Sequence, residues 1–196
     1  MTEAQWDRKI KVHTIGRVAD HEDVNHYPYE PTPYSVLERL AESGYLSKDS
    51  HVVDYGCGKG RVGFYLNYAC GCRVTGVECN EEIYLRAKEN EKSYSRNRSV
   101  NFVCTGAETF AVEEDVTDFY FFNPFSVKIL GKVMGRIKDS YYSAPRPMQF
   151  FFYYPNDEYV AYLMTEEELS FADEIDCSDL FVGANSRERI LIFEMG

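Results

Sequence analysis

The sequence lacks the features of a membrane or exported protein. No stretch approaches the about eighteen consecutive apolar residues that a membrane helix needs, and the longest apolar runs, such as Met148–Tyr154, have the length of a strand. The first ten residues, MTEAQWDRKI, contain no apolar core behind a basic start, which a secretory signal requires. We therefore expect a cytoplasmic protein without a membrane segment.

Positive charge is also scarce. The 196 residues include 21 Lys and Arg against 32 Asp and Glu, which gives a formal net charge of −11. A protein that holds duplex nucleic acid usually neutralises several phosphates with basic side chains, whereas the densest basic stretch here is the short Lys92–Arg98. The charge weighs against DNA or RNA as a partner and favours a protein or a small molecule.

Ordered sets of metal ligands and catalytic nucleophiles are missing as well. Cys70 and Cys72 have neither the spacing nor the second ligand pair of a zinc site, and the segment His21–His26 has no third anchored ligand. We expect no bound metal and interpret the six cysteines as reduced thiols, several of them inside apolar segments. No Ser/His/Asp or Cys/His arrangement is readable, so covalent catalysis has no support.

The chain does have the composition of a folded domain. Hydrophobic residues make up 44% and charged residues 27% of it, which is ordinary for a globular protein and argues against disorder. The length fits a single domain over 1–196 better than two domains. Residues 1–34 show no strong period, and we predict that they form an N-terminal arm or lid in front of a core over 35–196.

Within that core, strand-like and helix-like segments alternate. Short apolar runs between turn residues predict strands, and apolar positions three or four apart predict helices between them. This alternation is typical of a doubly wound α/β fold, here with seven mostly parallel strands and a C-terminal antiparallel hairpin. The predicted strands are 51–55, 73–77, 100–104, 118–122, 148–154, 171–176 and 189–194, and the predicted helices are 35–43, 62–68, 81–93, 127–139 and 157–164.

The most informative motif, Val52-Val-Asp-Tyr-Gly-Cys-Gly-Lys-Gly60, follows the first predicted strand. Glycines at alternate positions let the backbone turn sharply and let a ligand approach without meeting Cβ atoms. The helix after them directs its N-terminal amides to the same place, which favours a carboxylate or a phosphate. Glu78 ends the next strand and can accept hydrogen bonds from two ribose hydroxyls. Two alternatives remain here: a tight turn without a ligand, and a solvated strand-end charge at Glu78.

The pattern D-x-G-x-G-x-G resembles motif I of the class I (Rossmann-like, seven-stranded) S-adenosylmethionine-dependent methyltransferases, and the resemblance covers most of the chain. A dinucleotide fingerprint would need glycine where Arg61 stands. The resemblance implies S-adenosylmethionine (SAM) as cofactor and S-adenosylhomocysteine as its product. It places Asp54 and the glycine loop at the methionine end of SAM, Glu78 at the ribose and the turn Cys104–Glu108 at the adenine. The implied cofactor contacts are Asp54, Gly56, Cys57, Gly58, Gly60, Glu78, Cys79, Gly106 and Ala107.

A second motif, Asp118-Phe-Tyr-Phe-Phe-Asn-Pro-Phe-Ser126, resembles motif IV of the amino-methylating members of that family. In those proteins an Asn or Asp and the adjacent carbonyl hold the target amine. Asn123 and Pro124 match the pattern and are the implied acceptor-positioning residues, with Asn123 also beside the cofactor. Phe125 and Ser126 depart from it, because a second proline and an aromatic residue belong there. Alternatively, Asn123 serves only the turn before a proline.

A third resemblance lies before the first predicted helix. Tyr29-Glu-Pro-Thr-Pro33 is similar to a segment that caps SAM in some family members, which implies further cofactor contacts at Tyr29 and Thr32. These motifs predict a SAM-dependent methyltransferase whose acceptor is unidentified, with an amine nitrogen of a protein or small molecule as the candidate. Two alternatives stay open: a SAM- or nucleoside-binding sensor or scaffold without catalysis, and an NAD-dependent oxidoreductase, which Arg61 disfavours.

Overall fold

Seven strands form one central sheet, with helices between most of them. The computed structural model describes residues 1–16, 30–96, 99–183 and 185–196. The strands are β1 His51–Tyr55, β2 Arg73–Glu78, β3 Val100–Cys104, β4 Asp118–Phe121, β5 Met148–Tyr153, β6 Ser170–Asp176 and β7 Arg189–Met195. The helices are α1 Glu3–Ile10, α2 Tyr34–Glu42, α3 Arg61–Cys70, α4 Glu81–Ser93, α5 Val127–Ser143 and α6 Asp157–Leu163, with short 3₁₀ turns at Ala107–Thr109 and Ser178–Leu180.

The strand order β3-β2-β1-β4-β5-β7-β6 determines where a ligand can bind. Strands β1 to β5 run parallel, and β7 lies antiparallel between β5 and β6. The predicted doubly wound α/β fold with an antiparallel C-terminal pair is therefore confirmed. The chain passes from β1 to β2 on one side and later returns to β4 on the other. Such a divergence opens a crevice at the C-terminal ends of the strands.

Both faces of the sheet are covered, which explains why its central strands are buried along their whole length without alternation. All five residues of β1 are buried. On one face, Val52 and Tyr120 belong to a hydrophobic cluster with side chains of α1, α2 and α3. On the other face, Val53 and Phe119 belong to a cluster with side chains of α5 and α6. Consecutive residues of a strand thus enter different halves of the core.

Helix α1 lies where the sequence predicted no regular structure. It begins with a capping box in which Thr2 and Gln5 each accept a backbone N–H of the other. Its Trp6 ring stacks on Tyr34 at 5.8 Å and meets Tyr65 edge-on at 5.1 Å. An eight-residue helix with few apolar positions carries little periodic signal, so its packing rather than its own pattern defines it.

The boundaries of the other elements agree closely with the predicted ones, except at the end of α5. This helix continues to Ser143, because the guanidinium of Arg146 donates to the carbonyl oxygens of Ser140 and Ala144 and so satisfies groups at its C-terminal end. No helix in the described part of the chain is long and apolar enough to cross a membrane. The predicted contact at Tyr29 and the segment His21–His26 lie outside the described residues.

Candidate functional site

The glycine loop between β1 and α3 turns sharply at the C-terminal edge of the sheet. Gly56, Gly58 and Gly60 have φ angles of 72°, 56° and 86°, the left-handed region that favours glycine. The amides of Gly56 and Cys57 both donate to the carbonyl oxygen of Val77, at 2.9 and 3.0 Å. The loop is therefore anchored to the end of β2, next to the residue predicted to bind ribose.

Two of these glycines are also required by packing within the protein. A Cβ atom at position 56 would lie 2.4 Å from Cβ of Pro124, and one at position 60 would lie 2.5 Å from the ring of Phe102. Glycine at these two positions therefore makes room for neighbouring side chains of the protein as well as for a ligand. The contact between Gly56 and Pro124 joins the two motifs that the sequence singled out.

Gly56→Ala is expected to lower the free energy of unfolding by about 3 kcal/mol, because it combines a positive φ with a steric overlap. Gly135→Ala in the middle of α5 is the matched control, since an added Cβ there meets nothing within 4 Å. That variant should gain up to about 1 kcal/mol, the usual effect of replacing a helical glycine by alanine. Urea unfolding of both variants measures the difference. Equal stabilities would contradict the packing role of Gly56.

Asp54 is buried in β1 immediately before the loop, at 3% relative exposure. Its Oδ2 atom has no hydrogen-bond partner among the described residues. Burial, and then the nearby charge of Glu78, raise the pKa of this carboxyl from 3.8 to about 8. An orphaned carboxylate oxygen in the core is costly unless a cation or a donor pairs with it. Asp54 is therefore suited to a positively charged ligand.

Glu78 is buried at the end of β2, and its carboxylate is already used by the protein. Oε2 accepts the amide of Gly58 at 3.0 Å, and Oε1 accepts the amide of Asn80 at 2.9 Å. Burial raises the pKa of Glu78, while these backbone hydrogen bonds oppose the increase. Each carboxylate oxygen has a second acceptor site, so ribose hydroxyls can still be bound. The sequence did not indicate this added role of holding the glycine loop.

The predicted adenine end follows β3 at the same edge. The amide of Thr105 donates to the carbonyl oxygen of Glu78 at 3.0 Å, which joins the ends of β2 and β3. Gly106 precedes the 3₁₀ turn that begins with the buried Ala107. Cys79 and Cys104 are exposed there. The structure thus brings the residues predicted for ribose and adenine onto neighbouring strand ends.

Arg61 connects the N-terminal region to this edge. Its buried guanidinium forms an ion pair with Glu3 and donates to Thr14 Oγ1 at 2.7 Å and to the carbonyl oxygen of Thr32 at 3.1 Å. Thr32 Oγ1 lies 3.1 Å from the hydroxyl of Tyr120. The sequence indicated only that Arg61 disfavours dinucleotide binding. Its partners are distant in the chain, so no local signal identified this role.

Asn123 lies at the end of β4 with a φ of 40°, in the left-handed region. Its side-chain amide donates to the carbonyl oxygen of Tyr154, and its Oδ1 accepts the amide of Asn156 at 3.3 Å. Tyr154, after β5, also has a positive φ of 50°. The predicted acceptor-positioning residue therefore ties the loop after β4 to the loop after β5.

One group of metal-capable side chains occurs among the described residues, and it lies at the other end of β1. His51 Nδ1 is 3.1 Å from Asp115 Oδ1, and His51 Nε2 is 2.9 Å from Thr75 Oγ1. Asp115 also pairs with Arg73. Glu113 completes the group. Both ring nitrogens already have protein partners, so this cluster reads as a structural network remote from the glycine loop.

Comparison with known proteins matches residues 52–137 to the family described as a methyltransferase domain. A protein-lysine N-methyltransferase of Saccharolobus islandicus (strain REY15A) is 40% identical to this chain over 70 residues, which is 34% of this chain and 42% of that protein. The match therefore spans less than half of the relative's length. The residues that match the family model include the glycine loop, β2, β3 and β4.

Solved structures share the fold at low identity. An RNA methyltransferase from Salinibacter ruber, in complex with S-adenosylhomocysteine, has a TM-score of 0.54 at 16% identity, over 85% of this chain and 92% of that chain. A TehB-like SAM-dependent methyltransferase from Corynebacterium glutamicum has a TM-score of 0.57 at 17% identity, over 82% and 88%. The tRNA (uracil-54, C5)-methyltransferase of Pyrococcus abyssi has a TM-score of 0.60 at 15% identity, over 83% and 37%. The family match and this fold confirm the predicted resemblance to class I methyltransferases.

Proposed function

We propose that this chain is a SAM-dependent methyltransferase that acts on an amine nitrogen, with a protein lysine as the favoured acceptor. The observation that carries the cofactor assignment is Asp54 Oδ2, a buried carboxylate oxygen that has no partner in the described part of the chain. SAM carries a sulfonium and an ammonium, either of which supplies the missing positive charge. The pyrophosphate of an adenine dinucleotide is anionic and would repel an ionised Asp54 at this position.

The other strand ends provide partners for the remaining parts of SAM. Helix α3 begins at Arg61, and its N-cap residue Gly60 has no side chain to cap it, so the first amides of the helix suit the carboxylate of the methionine moiety. Glu78 keeps acceptor sites for the ribose hydroxyls. Gly106 and Ala107 offer backbone and a small side chain to the adenine. Thr32, fixed by Arg61, closes the side that faces Tyr120.

Bound SAM supplies a methyl group activated by the positive sulfur. The protein's contribution is to orient the acceptor and exclude water, and holding two reactants in line accounts for much of the rate of such a transfer. In this proposal Pro124 packs on Gly56 and fixes the loop after β4 against the cofactor site. Asn123 then holds the next loop in register with it.

Charge and the relative's activity support a protein lysine as acceptor. The net charge of −11 opposes binding to a polyanion and suits a basic protein surface. The relative from Saccharolobus islandicus acts on protein lysine, whereas the Salinibacter ruber neighbour with the same fold acts on RNA. A fold alone does not fix the substrate, so charge is the stronger argument.

The proposal is tested by isotope-labelled SAM and mass spectrometry. The full chain is incubated with labelled SAM and an extract of undermodified proteins, and methylated lysine in digested proteins is the expected product. Calorimetry should find SAM and S-adenosylhomocysteine bound far more tightly than NAD. Equal affinity for NAD would overturn the cofactor assignment. Tight SAM binding without any methylated product would favour the non-catalytic sensor instead.

Glu78→Ala should weaken SAM binding by about 1–3 kcal/mol, the usual effect of losing hydrogen bonds to a charged group. It removes the ribose acceptor and also releases the amide of Gly58. The control is Glu82→Ala, which removes an exposed acid in the first turn of α4. Calorimetry with SAM compares the two variants with the parent chain. An unchanged dissociation constant for Glu78→Ala would mean that the ribose is held elsewhere.

We also infer a single domain over 1–196, with the core at 35–196 and a cytoplasmic location. Trp6 and Ile10 of α1 belong to the same hydrophobic cluster as Val52 of β1, which supports one folding unit. None of the six cysteines, all of which lie in the described residues, forms a disulfide, which suits a reducing compartment. The lid formed by part of residues 1–34 stays a prediction.

A further inference from the structure

Two strained residues meet at the ends of β4 and β5. Asn123 and Tyr154 have φ angles of 40° and 50°, and the third non-glycine residue with a positive φ in the described chain is Lys11, at the end of α1, where helices commonly adopt this conformation. A residue with a side chain is sterically strained at a positive φ. Such strain persists where the surrounding structure holds the backbone in this conformation, often at binding sites. Here the amide of Asn123 donates directly to the carbonyl oxygen of Tyr154.

Three aromatic rings lie at or next to these two strained residues in the chain. We call them the aromatic corner, which consists of Phe122, Tyr153 and Tyr154. Phe122 lies 4.7 Å from Tyr153 and 6.4 Å from Tyr154 between ring centroids, and the two tyrosine rings are 6.1 Å apart. Phe122 and Tyr154 are only partly buried, in contrast to the fully buried Phe121 just before them. The aromatic corner therefore leaves ring surface accessible at the C-terminal edge of the sheet.

A carboxylate stands beside these rings. The hydroxyl of Tyr153 donates to Glu188 Oε2 at 2.8 Å, and the side-chain amide of Asn185 donates to the hydroxyl of Tyr154 at 2.8 Å. Glu188 precedes β7, which runs antiparallel to β5, so it reaches the same edge as the rings. The second oxygen of its carboxylate keeps acceptor capacity.

The charged groups around this corner leave it negative. Arg187 pairs with Asp157 at 3.8 Å, and Arg189 pairs with Glu174 at 2.9 Å. Both nearby cations thus have an acidic partner, while Glu188 is held by the neutral hydroxyl of Tyr153. Aromatic faces attract ammonium groups, and a carboxylate next to them adds an acceptor for the N–H groups.

We propose that the aromatic corner and Glu188 bind the alkylammonium group of the acceptor, and that Asn123 is a positioning residue that holds Tyr154 rather than the amine. The inference rests on the proposed function and names the chemistry by which the acceptor is recognised. Both polar atoms of the Asn123 side chain are engaged with the loop after β5. The rings and the carboxylate of Glu188 supply what an amine-bearing side chain needs: apolar surface for its methylene groups and negative charge for its head.

The test uses n-butylammonium, which has the chemistry of a lysine side chain, and the full chain saturated with S-adenosylhomocysteine. Aromatic NMR signals of the protein report its binding. Tyr154→Leu keeps an apolar side chain and removes the ring, and Glu188→Gln removes the charge. The control is Glu194→Gln, which removes an acid near the other end of β7. Uncharged n-butanol tests whether the positive charge matters.

The parent chain and the control should show saturable shifts of these tyrosine signals with n-butylammonium. The affinity should fall about five- to tenfold in Tyr154→Leu and in Glu188→Gln, as expected for losing one cation contact. n-Butanol should bind much more weakly. Unchanged S-adenosylhomocysteine affinity in every variant serves as the check on folding. Equal n-butylammonium affinities in all variants, or no saturable binding, would overturn the inference. Failure of the parent chain to bind S-adenosylhomocysteine would overturn the proposed function itself, before any amine is added.

Discussion

Asp54→Asn is expected to weaken SAM binding by about a hundredfold or more while making the ligand-free protein more stable. The substitution keeps the shape of the side chain and removes a buried negative charge that has an unpartnered oxygen. In the complex, that charge faces a cation at low dielectric, where the loss of a charged partner costs about 3 kcal/mol. In the ligand-free protein, the same charge has no cationic partner, so its burial only costs desolvation free energy and destabilises the fold.

The stability effect depends on pH in a defined direction. The folded-state pKa of Asp54 is raised from 3.8 to about 8, so ionising this carboxyl destabilises the folded chain. The penalty is absent below about pH 4, where the group is protonated in both states, and it grows as the pH rises to about 8. Asp54→Asn should therefore gain up to about 5 kcal/mol over the parent at pH 8 and little at pH 4, when thermal or urea unfolding is compared.

Cofactor binding should show the complementary dependence. Below about pH 8 the free carboxyl is mostly protonated, so a cationic ligand must displace a proton and the affinity of the parent chain should rise between pH 6 and 8. Calorimetry in buffers of different ionisation enthalpy measures that proton release. Asp118→Asn is the matched control, because Asp118 is also buried with a pKa raised to about 6, but it begins β4 at the opposite edge. SAM affinity that is equal in Asp54→Asn and the parent would remove Asp54 from the cofactor site.

Asn123→Gly is expected to lower methyl transfer by about a hundredfold once an acceptor is known, with little change in SAM affinity. Glycine adopts the φ of 40° at position 123 without strain, so this variant removes the amide and keeps the backbone. Without its two hydrogen bonds, the loop that carries Tyr154 loses its register to β4. A misplaced acceptor reacts slowly even when the cofactor is bound correctly.

The kinetic pattern separates positioning from direct contact with the amine. Asn123→Asp keeps an oxygen that can accept the amide of Asn156 and loses the donor to Tyr154, so we expect partial rescue relative to glycine. Both kcat and KM for the acceptor should change in the glycine variant, since the aromatic corner moves with the loop. Asn123→Ala adds the strain of a positive φ and should unfold at lower urea. Full turnover in a folded Asn123→Gly variant would remove the residue from the mechanism.

Local patterns were sufficient for most of the fold and part of the site. β1, α4 and β3 have the predicted limits 51–55, 81–93 and 100–104, because the two strands are short apolar segments and α4 consists largely of good helix formers. The glycine loop was also readable, since positive φ angles at three alternate positions need glycine whatever the surroundings. Helix α1 could not be predicted from the sequence, because its stability comes from Trp6 packing on Tyr34 and Tyr65.

The sequence by itself determined the doubly wound architecture, the place of the loop and the acids Asp54 and Glu78, because propensity, periodicity and backbone freedom act over a few neighbouring residues. Only the tertiary structure decided what those residues contact. It placed Pro124 against Gly56 and turned the amide of Asn123 toward Tyr154. Such contacts join residues far apart in the chain. They depend on how parallel strands align their ends at one edge of a sheet, which no local pattern encodes.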